Sequence, residues 1–124
     1  MSIQRLDISA PPGPVTSRCV VYGDTIHIGG ITAPDLSGDI KAQTAAVLGI
    51  VDDYLARTGA ARTHVLVAQV WIKDMALFAD MNAVWNAWVD PESPPSRNCV
   101  SGDLFRPEAL VEITVTAIRK GERA

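Results

Sequence analysis

The sequence is short of cysteine, of histidine and of long apolar runs, and each shortage closes off a class of function. Its two cysteines, Cys19 and Cys99, stand far apart, and its two histidines, His27 and His64, are isolated, so nothing has the ligand spacing of a structural zinc site. No metal is expected. No stretch reaches the roughly 20 apolar residues that a bilayer crossing needs, and Met1 to Pro14 has neither a basic start nor an apolar centre. A soluble, cytoplasmic protein is therefore expected. Positive charge is also in short supply: 11 Lys and Arg face 14 Asp and Glu, a formal net charge of -3, which leaves no general electrostatic grip on nucleic acid. There is no glycine-rich phosphate loop, no nucleophile elbow and no clustered Ser, His and Asp. An enzyme with this sequence works without the commonest catalytic kits, and no cofactor is expected.

What is present is an ordinary globular balance, 48% apolar and 20% charged over 124 residues. No internal repeat is visible, and the proline-rich stretches are too short to be linkers, so residues 1–124 are expected to form a single domain. An edge strand is expected around Ile3 to Ile8, broken by Pro11-Pro12-Gly13-Pro14. Arg18 to Tyr22 and Thr25 to Gly30, joined by Gly23-Asp24, read as a β-hairpin. From Asp39 to about Thr58, Ile40, Thr44, Val47, Leu48, Val51 and Leu55 recur at helical spacing, and Gly59 supplies the stop. Val65 to Ile72 is apolar at nearly every position, as in a strand with both faces buried. Asp74 caps a second helix running to about Val89, with Phe78, Met81, Trp85 and Trp88 as its stripe. Strands near Arg97 to Leu104 and Ala109 to Arg119 complete an α+β sandwich, a mixed sheet with two helices on one face. The other face of the Val65 to Ile72 strand needs a cover, and a second copy of the chain is the expected one.

Arg97 follows the stiff Ser93-Pro94-Pro95-Ser96 segment, so its guanidinium fork is well placed to hold a carboxylate by two parallel hydrogen bonds. Glu112 alternates with Val111 and Ile113, which puts it with Thr114 and Thr116 on the opposite strand face, where a covered carboxylate could hold a water for general-base work. On composition alone both have plain alternatives, a surface or salt-bridged arginine and an exposed carboxylate. Cys99, with no nearby histidine, reads as a small buried hydrophobe. Asn82 lies beside the helix stripe, and Gly29-Gly30 either lets a ligand approach the backbone or makes a bulge. His27 reads as structural, and the three tryptophans as core or interface anchors.

These pieces, in order and spacing, resemble the Rid family, the reactive-intermediate (enamine and imine) deaminases also called the YjgF family. The resemblance spans about Val15 to Arg119. It is carried by Tyr22-Gly23-Asp24-Thr25 leading to Gly29-Gly30, by Asp39-Ile40-Lys41-Ala42-Gln43-Thr44, and by Lys73-Asp74-Met75 with Phe78 and Met81-Asn82. Pro95-Ser96-Arg97-Asn98-Cys99-Val100 and Val111-Glu112-Ile113 are its strongest parts. It implies a chorismate-mutase-like fold assembled as a homotrimer with clefts between subunits. It also implies that Arg97 grips the substrate carboxylate, that the backbone at Cys99 contacts the reacting group, and that Glu112 positions water, with Asn82 and Gly30 lining the cleft. Two positions depart from the pattern. A tyrosine common in the cleft is Thr16 here, and a serine before the matched glycine is Gly29, so hydroxyl contacts are lost or shortened. The Trp85 and Trp88 pair, with Thr16, indicates a subgroup of the RidA-like proteins rather than the founding members. The function so implied is hydrolysis of a 2-imino or enamine acid to a 2-keto acid and ammonia. The rival readings are a non-catalytic trimer that binds small carboxylates or regulates partner proteins, and a ribonuclease or translation inhibitor, against which the acidic balance and the lack of a histidine pair weigh.

Overall fold

The computed structural model describes residues 2–119. In chain order the elements are β1 (Ile3–Ile8), β2 (Ser17–Tyr22), β3 (Thr25–Thr32), α1 (Ile40–Arg57), β4 (Val65–Ile72), α2 (Phe78–Trp88), β5 (Ser96–Ser101) and β6 (Val111–Ile118). The six strands form one sheet in the order β1-β2-β3-β6-β4-β5. Only the β4–β5 pair is parallel among the described strands. Parallel neighbours need a crossover, and α2 supplies it.

Local chemistry explains the helices. The carboxylate of Asp39 accepts the Ala42 N–H at 2.9 Å, which caps the start of α1. The helix buries Val47, Leu48, Val51 and Leu55 on the sheet. Gly59, at φ +84°, lets the chain leave in a conformation an L side chain resists. Asp74 accepts the Ala76 N–H at 2.8 Å, but it caps a short 3₁₀ turn, Met75–Leu77, that runs into α2. The second helix therefore begins three residues later than its cap suggests. Likewise β5 stops at Ser101, short of Leu104, and the Gly102 N–H makes the last ladder bond, to the Ile72 carbonyl at 3.0 Å.

The core lies between the two helices and one sheet face. Ile26 and Ile28 of β3, Ala68, Val70 and Ile72 of β4, and Ile113 and Val115 of β6 meet Met81, Trp85 and Trp88 of α2 and the apolar face of α1 in one cluster. Each fully buried aliphatic side chain contributes about 1.5–3 kcal/mol relative to exposure. The alternate residues point the other way. Val67 is 47% exposed and Trp71 39%, so β4 is apolar on both sides yet covered on one by its own chain.

Candidate functional site: two half-sites on opposite faces of the sheet

The first half-site sits on the helix side of the sheet, at its β5 edge. Arg97 pairs in register with Ala68, and Cys99 with Val70, both core-facing residues of β4. The Arg97 guanidinium lies 5.3 Å from the Trp85 ring centroid and 5.8 Å from that of Phe78. Its Nη1 approaches the Met81 Sδ at 3.9 Å. Two aromatic rings hold a cation by their quadrupoles without using its N–H donors, and the thioether is only a weak acceptor. Among the described residues Arg97 has no ion pair. Phe78, 38% exposed, is thus less a core residue than a wall for this arginine. Asn82, next to Met81, has a buried Oδ1 with no hydrogen-bond partner among the described residues. A buried acceptor left unpaired carries a desolvation cost in the single chain. Burial pushes the Cys99 thiol above its ordinary pKa, against the opposing pull of Arg97. The sulfur is therefore a neutral thiol near pH 7 and a poor nucleophile.

The second half-site is on the open face. The β3–β6 register shifts between Ile28 and Ile31, so Gly29 and Gly30 form a bulge. Gly30 has φ +65°, which favours glycine, and its N–H donates to the Thr114 Oγ1 at 3.3 Å. A Cβ at Gly30 would lie 3.8 Å from the Glu112 Oε2. The carboxylate thus rests against bare glycine backbone. Gly30 and Glu112 line a groove of about 650 Å³ together with Thr16, Ser9, Pro14, Arg18, Thr32 and Phe105. The Thr16 N–H donates to the Ser9 Oγ at 3.2 Å, and the two hydroxyls lie 3.3 Å apart, which ties the loop before β2 to β1.

The two halves cannot meet within one chain. Arg97 stands beside the inward-facing Ala68, whereas Glu112 stands beside the outward-facing Trp71. With β4 between them, their side chains leave opposite faces of the sheet.

Three residues the sequence did not single out also matter here. Phe105, from the β5–β6 connection, and Arg18, next to the core-facing Cys19 on β2, line the groove from distant parts of the chain, which no local pattern announces. Gln43 is 1% exposed, and its Nε2 donates to the carbonyls of Leu36 at 3.2 Å, Gly38 at 3.0 Å and Glu108 at 2.9 Å. Its Oε1 accepts the Leu110 N–H at 3.0 Å, so one side chain fastens the loops after β3 and before β6. A long polar residue beside the apolar face of α1 was the available signal.

A six-stranded mixed sheet, roofed by two helices on one face and bare on the other, with a glycine bulge beside a carboxylate on the bare face, defines the architecture of a known class of small α+β proteins. The chain belongs to the Rid (YjgF) family: the family model described as endoribonuclease L-PSP matches residues 9–119. A RutC family protein of Haemophilus influenzae is 36% identical over 119 residues, covering 94% of this chain and 98% of that one. The 3-aminoacrylate deaminase RutC of Acinetobacter baylyi is 31% identical over 94 residues, 76% of this chain and 67% of its own. The crystal structure of a YjgF family member from Neisseria meningitidis superposes with a TM-score of 0.89 at 36% identity, covering 98% of each chain. Among the described residues no helix is long and apolar enough to cross a membrane.

Proposed function

We propose that the protein is a 2-imino acid (enamine and imine) deaminase whose active sites form between subunits of a homotrimer. The observation that carries this reading is Arg97, a guanidinium fixed by two aromatic rings at a sheet edge with no carboxylate of its own among the described residues. Such a fork suits a planar carboxylate. In the assembly, Arg97, Asn82 and Cys99 of one subunit face Thr16, Gly30 and Glu112 of the next. The exposed Val67 and Trp71 are then covered by neighbouring copies, which also relieves the apolar face of β4.

In the reaction, Arg97 holds the substrate carboxylate and leaves the imine carbon facing Glu112. Glu112 orients a water and takes its proton as the oxygen bonds to the imine carbon; the C=N π bond opens and its electron pair moves to nitrogen. The proton passes to that nitrogen, giving a carbinolamine; Glu112 then takes the proton of the new hydroxyl and delivers it to the nitrogen as the oxygen's electron pair forms the C=O bond and the C–N bond breaks, so that ammonia leaves a 2-keto acid. Imines are intrinsically electrophilic, so orientation and one base suffice. The backbone at Cys99 contacts the reacting nitrogen, in keeping with a thiol that stays protonated. A relative titled as a 3-aminoacrylate deaminase supports the broader reaction, loss of ammonia from an enamine acid, with its amine on C3 rather than C2. The ribonuclease in the family's description finds less support: His27 lies on β3 and His64 in the 3₁₀ turn before β4, and neither lines the groove beside Glu112.

The test is direct. Imines generated in situ from alanine or methionine by an amino acid oxidase should disappear faster with the purified protein, and light scattering should give the mass of three chains. A folded monomer without activity would refute the proposal.

A further inference from the structure

The groove on the open face continues past Glu112. A second cavity of about 540 Å³ is lined by Arg18, Thr32, Ala33, Pro34, Asp35, Leu36, Phe105 and Arg106, and it shares Arg18, Thr32 and Phe105 with the first. The shared residues make the two neighbouring parts of one channel, with Glu112 and Gly30 lining the first part, Arg106 the second and Arg18 both. Arg18 is one residue along from the Cys19–Ile28 pair, so it stands beside the glycine bulge on the same face as Glu112. Arg57 and Arg62 are paired with aspartates at 3.0 and 2.8 Å, but Arg18 and Arg106 have no ion pair among the described residues. Arg106 is laid over the Phe105 ring at 5.8 Å. The channel also holds Asp35, whose carboxylate is taken up by the Ser37 N–H at 2.9 Å and its hydroxyl at 2.7 Å. That leaves two guanidinium groups without a salt bridge along the channel; Arg18 acts at longer range on the Asp7 carboxylate, which is itself bonded to Arg57 and Tyr54.

We infer that Arg18, supported by Arg106, forms an anion subsite that selects substrates with a second carboxylate, so that the preferred imines are dicarboxylic. The inference rests on the imine-deaminase reading and adds a substrate class to it. Arg97 from one subunit takes the carboxylate next to the imine carbon, Glu112 faces that carbon, and Arg18 takes the carboxylate at the far end of the side chain. Guanidinium groups hold carboxylates through paired, directional hydrogen bonds, and a substrate fixed at both ends presents its middle in one orientation.

The experiment compares 2-iminoglutarate with 2-iminopropanoate, each generated in situ, and measures binding of the corresponding keto acids, 2-oxoglutarate and pyruvate, by calorimetry. The parent protein should favour the dicarboxylic member in kcat/KM and in Kd. Arg18→Ala should reduce that preference at least about tenfold, Arg18→Lys less, and Arg106→Ala by a smaller factor, because a lysine keeps charge without the fork. Equal handling of the two acids by the parent, or an unchanged preference in Arg18→Ala, would overturn the subsite. If neither imine is hydrolysed yet 2-oxoglutarate binds more tightly than pyruvate through Arg18, the subsite stands and the catalytic reading falls. Inorganic phosphate that binds as well as 2-oxoglutarate, and with the same loss in Arg18→Ala, would show a general anion site and overturn the assignment to dicarboxylates.

Discussion

The two faces of the sheet come from the same alternating strands, yet they are finished in opposite ways. On the helix side Ala68, Val70, Ile113 and Val115 are wholly buried, and the arginine on that side is held by rings. On the open side Val67 and Trp71 remain exposed, and the carboxylate there rests against a glycine bulge. One face is a completed core with a cation at its margin. The other is an unfinished surface with an anion and a groove. Chemistry that needs both charges on one small molecule requires the unfinished face of one copy to meet the finished edge of another, so assembly and activity are one question.

Removing the charge at the finished edge should have the largest effect. Arg97→Ala should lower kcat/KM for imine hydrolysis on the order of 10²–10³-fold, the usual cost of truncating one partner of a desolvated charge pair. Arg97→Lys should recover little, because an ammonium between Phe78 and Trp85 lacks the planar fork. Steady-state kinetics on folded, assembled protein decides this.

On the open face Glu112→Gln should lower kcat by about 10²-fold, the lower end of general-base effects, since the imine is already electrophilic. Keto-acid product should bind almost as well as to the parent. A large loss of binding instead would make Glu112 a ligand for substrate rather than a base.

The bulge sharpens the comparison further. At φ +65° an alanine at Gly30 should cost about 1–2 kcal/mol of stability from left-handed backbone alone. A Cβ there would meet the Glu112 carboxylate at an ordinary contact distance of 3.8 Å, so strain rather than collision sets the loss. Chemical denaturation measures the stability change, and kcat should fall with it as the carboxylate loses its seat.

The smallest effect is expected at Cys99. Cys99→Ala should keep turnover within about threefold, because the side chain acts as a small hydrophobe and the backbone is retained. Burial raises the thiol pKa, so the neutral thiol persists up to and beyond the ordinary thiol range, and the pH profile of kcat/KM should carry no limb from Cys99 near neutrality. A profile that changes shape in the alanine variant would contradict this.

Much of the fold was legible in the sequence because local chemistry dictates it. The spacing of Ile40, Val47, Leu48, Val51 and Leu55, with Asp39 before and Gly59 after, can hardly be anything but a helix on a sheet. The hairpin at Gly23-Asp24 and the alternation around Glu112 are equally local. Arg97 and Glu112 stood out for the same reason, each a charge set in a stiff or strictly alternating segment. Their separation onto opposite faces did not, because it depends on register: β6 inserts between β3 and β4, and β5 joins β4 in parallel. The 3₁₀ turn at Met75–Leu77 was hidden because Asp74 caps either kind of helix. The Gln43 clamp and the groove shared by Arg18 of β2 and Phe105 arise from contacts between distant segments, and such contacts leave no periodic trace.

The most direct test mixes two lesions. Arg97→Ala and Glu112→Gln proteins, each nearly inactive, are unfolded, combined in equal amounts and refolded together. If a site takes Arg97 from one subunit and Glu112 from the next, about one quarter of the sites in randomly mixed trimers contain both intact residues, and about a quarter of the parent's activity should return. If the mixture stays as inactive as its components while parent protein carried through the same refolding recovers fully, each site draws both residues from one chain or uses neither, and the account of a shared active site is wrong.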